Sequence, residues 1–102
     1  MPPRLRIRRR QRDGQHVLRF EGTVDGSTAC HALDVVARTP PDGRELVLDL
    51  SALTGVETFG LEVLSRGLRA LARQRRVRIL GAPHLMPILS SLAATLRGQH
   101  AA

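Results

Sequence analysis

Residues 45–51 are the segment that most restricts what this chain can fold into. In the sequence ELVLDLS, Leu46, Leu48 and Leu50 share one face of a strand, while Val47 lies on the other. A strand that is apolar on both faces is typical of the centre of a sheet with helices on each side. This segment therefore predicts an α/β fold with a central strand at 45–51.

The residues after this strand alternate between helical and strand patterns. Leucines recur every three or four residues over 58–74, which predicts a helix with one buried stripe. Residues 76–83 (RVRILGAP) supply a further strand that ends at a glycine and a proline. A last helix is expected over 85–96, with Pro87 in its first turn, where a missing amide hydrogen is tolerated.

Two strand patterns precede the central strand. Residues 5–10 (LRIRRR) and 16–22 (HVLRFEG) flank Asp13 and Gly14, a dipeptide that favours a hairpin turn. We expect these strands to pair antiparallel, with the arginines of the first strand on the solvent face or at the edge of the sheet.

A helix is predicted over 25–38, where apolar residues recur at helical spacing behind two candidate capping residues, Asp25 and Ser27. The prolines and glycine of 39–43 (TPPDG) must end it. The order of elements is strand, strand, helix, strand, helix, strand, helix. Because parallel strands joined through a helix need a right-handed crossover, the sequence predicts a small mixed β-sheet of about four strands with helices packed on it.

Size and composition indicate one domain over residues 1–102. The apolar fraction is 42% and no apolar run approaches the length of a membrane span, so membrane insertion is not expected. The charged start MPPRLRIRRRQR does not resemble an export signal, and we expect a cytoplasmic protein. Cys30 is expected to be a small core or boundary residue. Because this one cysteine and four dispersed histidines lack ligand spacing, no metal or cofactor is predicted.

The basic residues are all arginine, 16 in number, and the formal net charge is +7. Most of them fall in two clusters, over 4–12 and 66–78, and residues 1–12 are expected to form an arginine-rich first strand or arm. Such a charge can serve a nucleic acid or another acidic partner. The chain has no tyrosine or tryptophan to stack on bases, which favours a solvated arginine-rich surface over nucleic-acid binding.

The polar segment between the central strand and the next helix contains the candidate functional residues. In an open α/β sheet, ligands and partners usually meet the loops at the carboxyl ends of the strands. Asp49 and Ser51 are expected at that end of the central strand, and Thr58 at the start of the following helix. Thr58 is a candidate N-cap, a structural role worth about 1 kcal/mol. That role explains Thr58 but not Glu57.

The combined pattern resembles the STAS domain, the fold of bacterial anti-sigma-factor antagonists. The segment VLRFEGTVDGSTACHALDVV is similar to the family's early strand, Gly-x-x-Asp turn and first helix, with Gly22 and Asp25 at the glycine and aspartate positions. The segment LVLDLSALTGVETFGLEVL is similar to the central signature, which usually reads Asp-Leu-Ser, apolar residues, then Asp-Ser-Ser-Gly-Leu. RVRILGAP resembles the strand after the second helix. The resemblance covers nearly the whole chain and implies a STAS-like α/β fold.

The resemblance also implies a partner and a modification. In antagonists of this family, a kinase that is also an anti-sigma factor phosphorylates the first hydroxyl after the acid. Here Thr58 falls on that position, Glu57 on the acid and Gly60 on the glycine, while Phe59 replaces the second hydroxyl. General burial tendencies favour a Phe59 that is tucked under the helix over one that is presented to a partner.

The resemblance thus implies an anti-sigma-factor antagonist-like regulatory protein that binds an anti-sigma factor with serine/threonine kinase activity, with switching by phosphorylation at Thr58. We expect no enzymatic activity, because no acid–base or nucleophile constellation is found. Asp25 is given equal weight as a cap and as a partner contact. The predicted partner-binding residues are Asp25, Asp49, Ser51, Glu57, Thr58, Phe59 and Gly60. Two alternatives stay open: a STAS subunit of a bacterial lipid-transport ABC system acting as a non-enzymatic scaffold, and a basic nucleic-acid-binding module.

Overall fold

The computed structural model describes residues 4–40, 42–71, 73 and 75–81 of the 102-residue chain. The elements within them are β1 (Leu5–Arg12), β2 (Gln15–Val24), α1 (Gly26–Arg38), β3 (Glu45–Val56), α2 (Thr58–Leu71) and β4 (Val77–Leu80). The final helix predicted over 85–96 lies outside the described residues. None of the helices in the described ranges is long and apolar enough to cross a membrane.

The four strands form one mixed sheet in the order β1-β2-β3-β4. β1 and β2 are antiparallel and turn at Asp13 and Gly14, as the sequence predicts, with Gly14 at a φ of 72°. β2, β3 and β4 are parallel to their neighbours. Both helical crossovers step across the sheet in the same direction, so right-handed connections place α1 and α2 on the same face. The predicted mixed α/β sheet is therefore confirmed.

The hydrophobic core lies between that face and the two helices. β2 contributes Leu18 and Phe20, and β3 contributes alternate leucines, because successive side chains of a strand point to opposite faces. α1 is close to α2 because Gly67 leaves room for the side chain of Leu33. The helical side of the core is formed by Ala29, Ala32, Val36, Leu64 and Leu68.

The opposite face of the sheet differs from the prediction made from ELVLDLS. Val47 is buried there, as an apolar residue on that face should be, but both described helices pack on the other face. Most of this second face is instead polar and rich in arginine. Residues 5–12 are paired along their whole length with β2 at the edge of the sheet, so this part of the arginine-rich segment is a strand and not a loose arm.

β3 is longer than the predicted strand and continues from Glu45 through Val56. Its pairing with β2 shifts register twice, between Arg19 and Glu21 and between Gly22 and Thr23. Each shift inserts an extra residue into β3, which is the pattern of a β-bulge. Asp49 and Ser51 therefore lie in the middle of the strand and not at its carboxyl end, which corrects the prediction.

Candidate functional site

The candidate site lies where β2 and β3 end and α1 and α2 begin. The amide of Glu57 donates to the carbonyl of Val24 at 2.9 Å, so the two strand ends are joined just before each helix starts. Parallel neighbouring strands bring their carboxyl ends to one edge of the sheet, and the helices that follow must start there. We call residues 25–27 and 57–60 the corner.

Asp25 caps α1 from inside the corner and is only 5% exposed. Its Oδ1 accepts from the amides of Ser27 and Thr28 at 3.0 and 2.9 Å, and from the Ser27 hydroxyl at 2.9 Å. In return the Thr28 hydroxyl accepts from the Asp25 amide at 2.7 Å, which completes a capping box. The hydrogen bonds to the carboxylate lower the pKa of Asp25 to about 2, and the bond from the Thr28 amide contributes most. Burial of the carboxylate acts in the opposite direction and tends to raise the pKa.

The second carboxylate oxygen of Asp25 faces Arg4. Nη1 of Arg4 lies 2.9 Å from Oδ2, which is ion-pair distance, but Oδ2 accepts no hydrogen bond of good geometry from the described residues. Arg4 is held beside the corner by its backbone, because its carbonyl accepts from the Thr23 amide at 2.8 Å. Gly22 makes this approach possible: its φ is 116°, and a Cβ there would collide with the carbonyl oxygen of Arg4.

Two glycines allow the starts of α1 and α2 to touch. Gly60 is buried, and a Cβ on it would lie 2.5 Å from the backbone of Asp25. Gly26 faces the ring of Phe59, whose Cδ1 would lie 2.8 Å from an added Cβ. Gly60 therefore positions α2 against α1. It was predicted as a partner-binding residue, but it is buried and faces the protein interior.

Thr58 is the first residue of α2, so the predicted helix start is confirmed but the predicted capping role is wrong. Glu57 precedes the helix, and its carbonyl accepts the first helical bond from the Leu61 amide at 2.9 Å, which makes Glu57 the N-cap residue. The side chains of Glu57 and Thr58 are exposed, and neither makes a hydrogen bond or ion pair within the described part of the chain. The Thr58 hydroxyl is therefore accessible at a helix N-terminus.

Phe59 is 66% exposed, so the favoured expectation that it is tucked under the helix is wrong. The interior below α2 is already filled by Leu64 and Leu68, and the Phe59 ring lies over Gly26 at the surface instead. The exposed large hydrophobic residues in the described ranges are Phe59 and, on β4, Leu80 at the far side of the sheet. An exposed phenylalanine directly after an exposed threonine gives the corner an apolar contact surface.

Asp49 and Ser51 do not join the corner. Oδ1 of Asp49 accepts from the Ser51 amide at 3.0 Å and from its hydroxyl at 2.6 Å, a local turn at the first bulge of β3. Val56 lies seven positions after Asp49 along the strand, a distance of roughly 20 Å at the usual rise per residue. The structure thus groups Asp25, Glu57, Thr58, Phe59 and Gly60 and leaves these two residues in a separate position.

Other candidate groups add no chemistry to the corner. Cys30 was predicted to be a small core or boundary residue but is exposed, and its thiol lies 3.5 Å from the Gly26 carbonyl. In the ranges that the structure describes, no cluster of histidine, cysteine, aspartate and glutamate is suited to a metal ion. The sequence analysis missed the contributions of Arg4, Gly26 and Thr28. Only Thr28, at the third helical position after Asp25, carried a recognisable capping-box signal.

The comparison with protein families agrees with this geometry. The family model described as the STAS domain matches residues 6–85 of the chain, a range that runs from the second residue of β1 to beyond β4 and includes the whole corner. This chain belongs to the STAS domain family. A search of curated protein sequences finds no significant match to it.

Solved structures show the same fold. An anti-sigma factor antagonist from Mycobacterium paratuberculosis is 26% identical, with a TM-score of 0.66, over 89% of this chain and 81% of that chain. An antisigma-factor antagonist STAS domain from Rhodobacter sphaeroides is 17% identical, with a TM-score of 0.57, over 74% of this chain and 85% of that one. A structure described as Mglu matches at 21% identity and a TM-score of 0.63. It aligns with 70% of this chain, which spans only 18% of the length of Mglu.

Proposed function

We propose that this chain is a non-enzymatic, cytoplasmic regulatory protein that docks through the corner onto an anti-sigma factor with serine/threonine kinase activity, and that phosphorylation of Thr58 releases it. The observation that carries the proposal is the exposed Thr58 hydroxyl at the start of α2, which makes no hydrogen bond to any of the described residues. The similarity to an anti-sigma factor antagonist at 26% identity supports the choice of partner.

The position of Thr58 suits a hydroxyl that is modified without unfolding the domain. A kinase must reach the hydroxyl, and an exposed side chain in the first turn of a helix allows this. A phosphate there would add nearly two negative charges next to the positive end of the helix dipole, which tolerates them. The folded state of the protein should therefore accept the phosphate.

The complex would respond differently, because the partner would cover an exposed apolar side chain next to Thr58. Phe59 follows Thr58 directly and is the exposed anchor of the corner. A phosphate beside the Phe59 ring, which the partner would cover in the complex, would bring its hydration shell into the interface, and the neighbouring Glu57 carries a charge of the same sign. A difference of about 3 kcal/mol, within the range of an unpaired interfacial charge, shifts occupancy more than a hundredfold.

Phosphorylation is tested by incubating the chain with ATP and an anti-sigma factor kinase from the same genome, followed by intact mass measurement. We expect one added phosphate on the wild-type chain and none on Thr58→Ala. Thr54→Ala is the matched control, because Thr54 is also exposed but its hydroxyl donates to the Gly22 carbonyl at 3.2 Å. Phosphate that persists on Thr58→Ala, or that disappears from Thr54→Ala, would rule out Thr58 as the site.

The effect of charge on docking is tested by comparing Thr58→Asp with Thr58→Asn, two side chains of nearly equal shape. We expect Thr58→Asp to lose capture of the anti-sigma factor by at least about a hundredfold and Thr58→Asn to retain it. Equal binding of both variants would show that charge at this position does not control docking.

A permanent scaffold, such as the STAS subunit of a lipid-transport ABC system, is the second candidate. Phe59 favours it, because an exposed apolar anchor can hold a partner with no phosphorylation cycle. This candidate predicts that Phe59→Ala weakens partner binding by about 2 kcal/mol or more, as for other aromatic anchors, while Thr58→Asp leaves binding intact. Loss of binding in both variants would favour the phosphorylation switch.

A further inference from the structure

A second charged surface lies on the face of the sheet opposite the helices. Alternate residues of β1 point to this face, and the pairing register places neighbouring arginines of β2 and β4 on it as well. All of them are exposed. We call this surface the arginine face; its members are Arg6, Arg8, Arg10, Arg12, Arg19 and Arg78.

Half of these arginines have no acidic partner in the part of the chain that the structure describes. Glu21 lies 2.8 Å from Arg8 and 3.9 Å from Arg19, and Glu45 lies 3.8 Å from Arg78. In contrast, no acid of the described residues lies within ion-pair distance of the remaining three members of the arginine face, all of them on β1. These three are Arg6, Arg10 and Arg12. The unpaired positive charge is thus concentrated on one strand.

β1 is also the edge of the sheet. It pairs with β2 on one side, and no strand of the described residues pairs with its other side. An edge strand presents a row of free amide and carbonyl groups that another extended chain can use. A groove of about 330 Å³ lies on the arginine face next to this edge, and Arg8, Arg9, Arg10, Arg12 and Arg19 line it together with Val17, Glu21 and Asp49.

We propose that the edge of β1 takes up an extended acidic segment of a partner protein as an additional strand. Same-face residues repeat at about 6.6 Å along any strand, so carboxylates at alternate positions of an added strand would stay in register with the arginines of β1. Cross-strand pairs of opposite charge stabilise such an arrangement, and backbone hydrogen bonds at the edge supply affinity. The unpaired Arg6, Arg10 and Arg12 are the side chains that select an acidic segment.

A single-stranded nucleic acid fits this surface less well. Three carboxylates, Glu21, Glu45 and Asp49, lie on the same face of the sheet as the arginines and would repel phosphates that crossed it. The chain has no tyrosine or tryptophan, and its two phenylalanines are elsewhere, Phe20 in the core and Phe59 at the corner. Bases would therefore find no aromatic ring on this face to stack against.

The inference does not depend on the function proposed for the corner. The corner lies at the carboxyl ends of β2 and β3, whereas the arginine face lies along β1 on the side away from α1 and α2. Variants at Thr58 should leave binding at β1 unchanged.

The test uses two labelled synthetic peptides of the length of β1, with the same composition of glutamate and threonine. One alternates the two residues, and the other has its glutamates in one block. Fluorescence anisotropy with the full chain at low salt should show at least about tenfold tighter binding of the alternating peptide, because only this peptide places all carboxylates on one face of an added strand. Equal affinity for the two peptides would reduce the site to unspecific charge attraction and overturn the proposal.

Two variants and a competitor complete the test. The triple variant Arg6→Gln/Arg10→Gln/Arg12→Gln should bind the alternating peptide at least about tenfold more weakly. Arg69→Gln should not, although Arg69 is also exposed and has no acidic partner among the described residues. Circular dichroism verifies that both variants stay folded. Hydrogen exchange of the β1 amides should slow on peptide binding; unchanged exchange would contradict strand addition. An oligothymidine of equal charge that binds more tightly than the peptide and displaces it would assign the surface to nucleic acid and overturn the proposal.

Discussion

The first turns of α1 and α2 lie side by side in the corner but are built in opposite ways. At α1, Asp25 and Thr28 satisfy the free backbone amides in a capping box, and Asp25 is buried. At α2, Glu57 is the N-cap residue and Gly60 stands at the position that corresponds to Thr28, while the side chains of Glu57 and Thr58 are exposed and make no hydrogen bond within the described residues. Both helices begin at the end of a parallel strand with free backbone amides. Side chains bind these amides at α1, whereas no side chain of Glu57 or Thr58 does so at α2 within the described residues.

This difference indicates that the start of α1 has a structural role, whereas the start of α2 is available for binding. A capped helix start has little left to offer a ligand, because its donors are already used. An uncapped start with an exposed hydroxyl and an exposed phenylalanine loses some local stability but keeps these groups available to a partner. The comparison predicts that substitutions at α1 change the free energy of unfolding, whereas substitutions at α2 change partner binding, with Gly60 as the exception that joins the two helices.

The largest effect on stability is expected for Gly60→Ala. A Cβ at Gly60 would lie 2.5 Å from the backbone of Asp25, and backbone cannot swing away as a side chain can. α2 would have to shift away from α1, so we expect a loss of about 1–3 kcal/mol in the free energy of unfolding, the usual cost of overpacking. Urea unfolding measures it. A wild-type midpoint in this variant would mean that the two helix starts are not in close contact.

Asp25→Asn should come next, because it removes the negative charge while keeping the shape of the cap. Hydrogen bonding, first of all from the Thr28 amide, lowers the pKa of Asp25 from 3.8 to about 2. A lowered folded-state pKa means that the charged cap stabilises the fold fully above pH 3.8 and loses this contribution as the pH falls through about 2. We therefore expect a lower melting temperature than wild type at neutral pH and a smaller difference near pH 2.

Asp42→Asn is the control for this pH series. Burial tends to raise the pKa of Asp42, but hydrogen bonds from His16 and from the Arg44 amide, together with electrostatic interactions with these two side chains, lower it overall. Asp42 lies 2.9 Å from the buried His16 at the opposite end of the sheet, so its variant should change acid stability without changing the corner. If Asp25→Asn and wild type differ equally at pH 7 and pH 2, the charge of Asp25 does not stabilise the α1 start.

The strands and helices could be predicted because the spacing of apolar residues is regular in most of them. Leu18 and Phe20 alternate on β2, and Leu46, Leu48 and Leu50 alternate on β3, which fixes the face that meets the helices. The end of β3 could not be predicted in the same way. Its bulges change the spacing of buried residues from two to three, as between Leu50 and Leu53, and a spacing of three no longer reads as a strand.

Because β3 was predicted to end at Ser51, Asp49 and Ser51 were wrongly placed in the candidate site. A strand that ends at Ser51 would bring Asp49 close to Thr58, whereas the longer β3 separates them. Thr58 itself was predicted as a cap because threonine favours that position, but glutamate occupies it here. The contact of Gly60 with Asp25 joins residues 35 positions apart in the sequence and leaves no local pattern. The resemblance to the STAS family did supply Asp25, Glu57, Thr58, Phe59 and Gly60, which the structure brings together in the corner.

A smaller effect is expected for Gly26→Ala, the counterpart of Gly60→Ala in the other helix. A Cβ at Gly26 would meet Cδ1 of the Phe59 ring at 2.8 Å, but this ring is 66% exposed and can rotate away. We expect the free energy of unfolding to change by less than about 1 kcal/mol, because the higher helix propensity of alanine offsets the cost of moving the ring. The clash should vanish in the background of Phe59→Ala, so the two changes should not add in a double-mutant cycle. Simple additivity would show that the ring does not lie over Gly26.

The smallest effect is expected for Thr58→Ala, and Thr28→Ala is its matched control, the same substitution in the first turn of the other helix. The Thr28 hydroxyl donates to the Thr23 carbonyl at 2.9 Å and accepts from the Asp25 amide at 2.7 Å, so its removal should cost about 1–2 kcal/mol. The Thr58 hydroxyl makes no such bond among the described residues, so its removal should stay within about 0.5 kcal/mol. Chemical denaturation of the two variants under one condition measures the difference. Equal losses would mean that Thr58 stabilises the fold as Thr28 does, and that its exposure is no sign of a site kept free for a kinase.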